Sequence, residues 1–269
     1  MASVPTTVSL PSEADLTSHI VNVRRYHEEN FSEVQDALTH VQRELYRATQ
    51  SESPSERTIT RLYTMLSGVW CEARLHKLLY EQGAFEDAER AVIYAQSSVE
   101  QKWKKALDVA FRKHHGIPHQ VALSSEIVDF SRLKIYEQVL EWIEKYFVSV
   151  IELRNKIAHG QWAKPFINHQ AGWSSSLDFK IANNSIAALK GENLLTIERK
   201  TKLLQDIAVA INNLAVDGQR YGATDFDQQY KRIHSAIKSL ENADFPSHRQ
   251  KLIDGYKNSA LQANAGVCI

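Results

Sequence analysis

The chain has 269 residues, of which 43% are hydrophobic and 24% are charged, the composition of an ordinary soluble globular protein. Lysine plus arginine and aspartate plus glutamate both number 32. The formal net charge of zero argues against a domain that holds nucleic acid by bulk positive charge, and it leaves a local positive site open. No apolar run approaches the roughly 18 residues of a membrane span, so we expect none.

The ends of the chain and its cysteines favour a cytoplasmic location. The first ten residues contain neither a basic residue nor an apolar block, so a secretory signal is not expected. Cys71 and Cys268 are too few for a disulfide framework or a zinc site. We therefore expect a protein of the reducing cytoplasm, without a metal or another cofactor.

Apolar residues spaced three and four apart predict helices along most of the chain. The first helix is expected over residues 14–49, with a break near Asn30. For the second helix, Ser53, Pro54 and Glu56 have the spacing of an N-terminal capping box. This second helix covers residues 54–82, and its apolar seam consists of Ile59, Leu62, Leu66, Val69 and Ala73. The later predicted helices cover residues 85–115, 125–159, 196–221, 226–242 and 247–257.

One stretch, residues 160–193, departs from the helical pattern. Leu177, Phe179 and Ile181 alternate there, and Asn183-Asn184 predicts the turn of a short hairpin. The fold class is therefore all-α, a long antiparallel helical bundle with a short irregular or hairpin insertion after the fourth helix. We divide the chain into an N-terminal helical segment (residues 1–53), a helical core (54–221) and a C-terminal helical extension (222–269).

The fourth predicted helix places an arginine on its apolar stripe. The stripe advances by alternating steps of four and three residues through Tyr136, Leu140, Ile143, Phe147, Val150 and Ile157. The one position of this series that is not apolar, between Val150 and Ile157, is Arg154. In a regular helix Arg154 lies within roughly 20° of Ile143 and Phe147. Burying an unpaired guanidinium costs several kcal/mol, so we expect Arg154 to pair with a carboxylate such as Glu72 or to face a polar cleft.

Arg154 begins the string Arg154-Asn155-Lys156-Ile157-Ala158-His159, which is followed by Gly160-Gln161-Trp162. This string resembles the R-x4-6-H motif of HEPN domains, including the polar residue that follows the arginine. Motif agreement is close over residues 153–162, and the resemblance extends over about residues 54–221. It implies an all-α bundle that forms a homodimer and acts as a metal-independent endoribonuclease of the toxin–antitoxin and antiviral defence type. RNA would be the substrate, and an antitoxin or regulatory protein a further partner.

The residue types suit this hydrolase chemistry. An imidazole is the side chain best suited to transfer protons at neutral pH, and His159 supplies one. Arg154 stabilises charge on phosphate oxygens, and Asn155 orients the imidazole or donates to the phosphate. Arg154 and His159 are about 140° apart on an ideal helix, so their convergence requires a loosened helix end. Because one chain supplies one histidine, we predict a composite site between two copies.

Further residues have two interpretations each. Lys156 is a candidate phosphate contact, and Trp162 either stacks on an RNA base or closes the end of the core. Glu72 either orients Arg154 or His159 or forms a structural salt bridge only. His76 is predicted to be a satisfied core histidine. The alternatives to an enzyme are a non-catalytic HEPN-like domain that binds RNA, a nucleotide or a partner protein, and a plain helical scaffold.

Overall fold

The computed structural model describes residues 13–167, 180–216 and 226–265. These parts of the chain contain helices and one isolated antiparallel bridge, between Phe166 and Ile181, so the predicted all-α class is confirmed. A one-turn π-helix, Ile143–Phe147, joins two of the helices. In chain order the α-helices are α1 (Glu13–Gln50), α2 (Glu56–Leu79), α3 (Asp87–Tyr94), α4 (Val99–His115), α5 (Phe130–Trp142), α6 (Val148–Ala158), α7 (Asn183–Gly191), α8 (Leu194–Ala215), α9 (Phe226–Glu241) and α10 (Phe245–Ala265).

Helix α2 lies at the centre of the bundle. Helices α1 and α6 pack along it, and α8 packs against α2, α4 and α9. One hydrophobic cluster includes Leu45 of α1, Trp103 of α4, Ile207 of α8 and Ile233 of α9. The N-terminal helix and the helix α9 therefore share their core with the middle of the chain. Among the described residues no helix combines the length and apolar character needed to cross a membrane.

The buried face of α2 differs from the predicted seam. The predicted seam residues are only partly buried, whereas Thr60, Thr64 and Ser67 are almost fully buried. Each of these three hydroxyls donates a hydrogen bond of 2.7–3.0 Å to the backbone carbonyl four residues earlier. Because backbone carbonyls of the same helix accept these hydrogen bonds, α2 can bury the three polar side chains. A prediction from apolar spacing places such side chains in solvent.

Several predicted helix ends are also wrong. Helix α1 continues through Asn30 without a break. The predicted third helix is two helices, because the Ser98 hydroxyl accepts from the Gln101 N–H at 3.3 Å and starts α4 there. At the start of α2, the N-cap is Ser55 and no side chain caps the helix. The Ser53 hydroxyl bonds to the Ser55 hydroxyl instead, at 2.8 Å.

The predicted hairpin turn at Asn183-Asn184 is wrong, because Asn183 begins helix α7. Leu189 of α7 packs on Leu153 and Ile157 of α6 in a small second apolar cluster. Arg61 of α2 donates to the Leu189 carbonyl at 2.6 Å. These contacts stabilise a helix here, because they hold both the buried side chain and the backbone carbonyl of Leu189. The predicted strand positions 177 and 179 lie outside the described residues.

Candidate functional site

The motif residues 154–159 lie at the end of a long helix that contains a π-turn. Helices α5 and α6 are continuous through Ile143–Phe147, where the Val148 N–H donates to the Ile143 carbonyl five residues earlier. A π-turn holds an additional residue, so it rotates every later side chain relative to a regular helix. Ile143 and Phe147 are fully buried, whereas the Arg154 side chain is 29% exposed. Arg154 is therefore less buried than the apolar residues of the stripe, although its Cβ packs against α2.

Two side chains hold the Arg154 guanidinium. Its Nη2 lies 2.5 Å from Oε2 of Glu72 on α2, so the ion pair predicted from the sequence is present. Its Nη1 donates to Oδ1 of Asn155 at 2.8 Å. Gly68, one helical turn before Glu72, makes the approach of the two helices possible, because a Cβ built there would lie 2.3 Å from the Arg154 Cβ. Sequence reasoning missed this role of Gly68, whose only signal is a glycine inside a helical pattern.

His159 lies at the open end of α6. Its backbone N–H donates to the Asn155 carbonyl at 3.1 Å, and Gly160 follows with a φ of 75°. Only glycine adopts this left-handed conformation readily, which explains why α6 ends here. The imidazole is exposed, and within the described parts of the chain it makes no hydrogen bond and no ion pair.

Of the three predicted catalytic residues and their predicted partner Glu72, the structure brings three together and leaves His159 apart. Arg154, Asn155 and Glu72 form a connected group where α6 crosses α2. No contact among the described residues joins the His159 side chain to this group. A single copy of the chain therefore holds the arginine and exposes the histidine, but it does not join them in one set of contacts.

Lys156 and Trp162 both contact backbone carbonyls near the helix end. The Lys156 ammonium donates to the Phe166 carbonyl. The Trp162 indole N–H donates to the Ile157 carbonyl at 3.0 Å, while the side chain keeps 36% of its surface exposed. Trp162 therefore closes the end of α6 and still presents ring surface to solvent.

A groove of about 630 Å³ lies between α6 and the start of α7. Asn155 and Lys156 line one side, whereas Arg154 and His159 do not line it. The opposite side is formed by residues 181–185. The groove therefore depends on how α7 packs against α6, which the sequence does not indicate. In the part of the chain that the structure describes, no three histidine, cysteine, aspartate or glutamate side chains are grouped to hold a metal ion.

Comparison of the chain with protein-family models, with curated proteins and with solved structures finds no match. The resemblance to HEPN domains therefore rests on the motif residues, and function has to be argued from the chemistry of the site.

Proposed function

We propose that the protein is a metal-independent endoribonuclease with a HEPN-like core, and that its site forms between two copies of the chain. The observation that carries the proposal is the exposed imidazole of His159, which has no partner among the described residues, on the same helix end as a guanidinium held by Glu72 and Asn155. An acid–base group and a cation with a defined position are the two components that phosphate transfer within RNA requires.

In the proposed reaction, neutral His159 takes the proton of a ribose 2′-hydroxyl as its oxygen attacks the adjacent phosphorus. The bond from phosphorus to the 5′-oxygen breaks, and this oxygen takes a proton from the protonated imidazole of the second copy. The products are a 2′,3′-cyclic phosphate and a 5′-hydroxyl end. A guanidinium has five N–H donors, and the two bonds of Arg154 leave others for the phosphate oxygens.

Because no contact among the described residues of one chain joins His159 to Arg154, the proposal requires a dimer. A twofold pairing of two α6 helices would place the histidine of each copy near the arginine of the other. Asn155 and Glu72 act as positioning residues for Arg154, and Lys156 and the exposed ring of Trp162 would contact an RNA phosphate and base. A cytoplasmic toxin or antiviral defence role, with an antitoxin or regulatory partner, follows from the family resemblance alone.

The test is to incubate the protein with total RNA in the presence of a chelator and to map the product ends. We expect cyclic phosphates and 5′-hydroxyls. His159→Ala should lower the cleavage rate by about 10²–10⁴-fold, and Arg154→Ala by about 10²–10³-fold. His114→Ala is the matched control, since His114 is also exposed in the last turn of a helix, α4, and it should leave the rate unchanged.

Two results would contradict the proposal. A folded His159→Ala protein that cleaves RNA at the parent rate would remove the acid–base role. A monomer by light scattering under the conditions of cleavage would remove the composite site.

A second candidate is a non-catalytic domain that binds RNA, a nucleotide or a partner protein. The absence of any contact, within the described residues, between His159 and the group of Arg154, Asn155 and Glu72 favours this candidate, because binding does not require an acid–base group beside the cation. Intact RNA that migrates with the folded protein, and is released by Arg154→Ala but not by His159→Ala, would support binding over catalysis.

A further inference from the structure

A second cleft, lined by none of the motif residues, lies where α2 meets α1, α8 and α9. Its volume is about 360 Å³, within the range of sites for small molecules. Arg74 lines it from α2, Lys202 from α8, and Gln229 and Arg232 from α9. None of these residues belongs to the proposed ribonuclease site, so the inference is independent of it.

Arg74 is a largely enclosed cation that forms no ion pair within the described residues. Its Nη2 donates to Oδ1 of Asn212 at 3.3 Å, whereas its Nη1 is buried and has no hydrogen-bond partner in the described parts of the chain. Among the described residues no carboxylate lies within 4 Å of its guanidinium. The Phe31 ring, 6.0 Å from the Arg74 Cζ, provides only a cation–π contact. A buried charged donor without a partner is unfavourable, so this N–H indicates an acceptor that enters from the cleft.

Gln229 supplies a second unpartnered group of opposite character. The residue is 1% exposed, and its Nε2 donates to the backbone carbonyl and to Oδ1 of Asp206, at 3.0 and 3.1 Å. These two bonds fix the orientation of the amide, and no described residue donates to the buried Oε1. A ligand that satisfies the cleft therefore needs an acidic group for Arg74 and a hydroxyl for Gln229.

The charges around the cleft indicate a dianion. Its lining contains three cations, Arg74, Lys202 and Arg232, and one carboxylate, Asp206, which pairs with Lys202 at 2.9 Å. The net charge of these four side chains is plus two. This matches the two negative charges of a phosphate monoester more closely than the single charge of a carboxylate. Phe31 and Trp70 provide an apolar wall for the organic part of such a ligand.

We propose that this cleft binds a small hydroxylated phosphate monoester. Arg74 holds the phosphate, Arg232 contributes positive charge, and Gln229 accepts a hydrogen bond from a ligand hydroxyl.

Isothermal titration of the full-length protein with glycerol 3-phosphate tests this site, with inorganic phosphate and glycerate as comparison probes. We expect glycerol 3-phosphate to bind at least tenfold more tightly than glycerate, which carries a carboxylate in place of the phosphate. Inorganic phosphate lacks the hydroxylated part and should bind more weakly than the ester.

Variants assign the binding to the cleft. Arg74→Gln should weaken glycerol 3-phosphate binding at least tenfold, and Arg232→Gln, at an exposed position, should weaken it by a smaller factor without affecting folding. Arg43→Gln, an exposed arginine on α1 outside the cleft, should leave binding unchanged. The proposal is overturned if the parent shows no heat with millimolar glycerol 3-phosphate, if glycerate binds equally well, or if the folded Arg74→Gln or Arg232→Gln variants bind like the parent.

Discussion

Gly68 is a single residue on which the position of Arg154 depends. It is buried where α2 crosses α6, and a Cβ at this position would lie 2.3 Å from the Arg154 Cβ and 3.2 Å from the Val150 carbonyl oxygen. Neither the Cβ nor the carbonyl can move without the backbone of α6. The glycine is therefore needed for close helix packing, which in turn brings Arg154 within reach of Glu72.

We expect Gly68→Ala to destabilise the protein. Overpacking at a rigid contact costs about 1–3 kcal/mol, and this exceeds the gain of about 1 kcal/mol that alanine brings to a helix. Thermal and urea unfolding measure the change. Gly255→Ala is the matched control within α10, since no atom lies within 4 Å of its added Cβ, and it should be neutral or slightly stabilising. A Gly68→Ala protein as stable as the parent would show that the two helices are not in rigid contact.

At the scale of the elements, a stack of aromatic rings joins α1 to α2 and α3. His27 of α1 stacks on His76 of α2, with ring centroids 5.4 Å apart, and on Tyr80. The His76 Nδ1 lies 3.0 Å from the Tyr94 hydroxyl, in line with the prediction of a satisfied core histidine. Burial lowers the pKa of His27. Burial, and then the charges of His27 and Lys102, lower the pKa of His76, which Glu72 opposes.

This stack predicts a loss of stability on acidification. Because the folded pKa of each histidine lies below its ordinary value of 6.5, the unfolded chain binds more protons once the pH falls below that value. The contribution of the stack to the free energy of unfolding is complete above pH 6.5. It is lost as the pH falls from 6.5 towards the lower pKa values that the two histidines have in the folded protein. Urea unfolding at pH 7.5 and 5.5 measures the difference in the free energy of unfolding.

The contribution of the stack to this pH dependence can be separated from that of other histidines, such as His115, whose pKa is also lowered by burial. His27→Gln should reduce the difference between the two pH values. His40→Gln, on the exposed face of the same helix, should preserve it. Equal pH dependence in His27→Gln and the parent would exclude the stack as its source.

At the scale of the whole molecule, the three predicted segments share one hydrophobic core. Leu45 from residues 1–53 and Ile233 from residues 222–269 belong to the same cluster as the central helices, and both are fully buried. A segment that only regulated access to the site would not bury such side chains. We therefore expect α1 to unfold together with α2 and α8.

Leu45→Ala tests this cooperativity. Removing a fully buried leucine should lower the free energy of unfolding by about 2–5 kcal/mol, in a transition that coincides by circular dichroism and tryptophan fluorescence. Val21→Ala, at a position that is 60% exposed on the same helix, should change it by less than about 0.5 kcal/mol. A separate early transition in Leu45→Ala would mean instead that α1 unfolds on its own.

The amino-acid sequence alone determined the features that depend on near neighbours along the chain. Helical periodicity specified the all-α class and most of the helices, because backbone hydrogen bonds and side-chain spacing within a helix are local. The ion pair of Arg154 with Glu72 was predictable as well, since a charge inside an apolar pattern needs a partner.

The tertiary structure decided which faces meet. The buried hydroxyls of α2, the close approach of Arg154 to Gly68, and the buried N–H of Arg74 all depend on helices distant in sequence. Nothing in the sequence around Arg74 distinguishes it from a surface arginine, because the residues of α8 and α9 that enclose it are distant in sequence. Burial and pairing are set by packing, and periodicity within one helix carries no information about its neighbours.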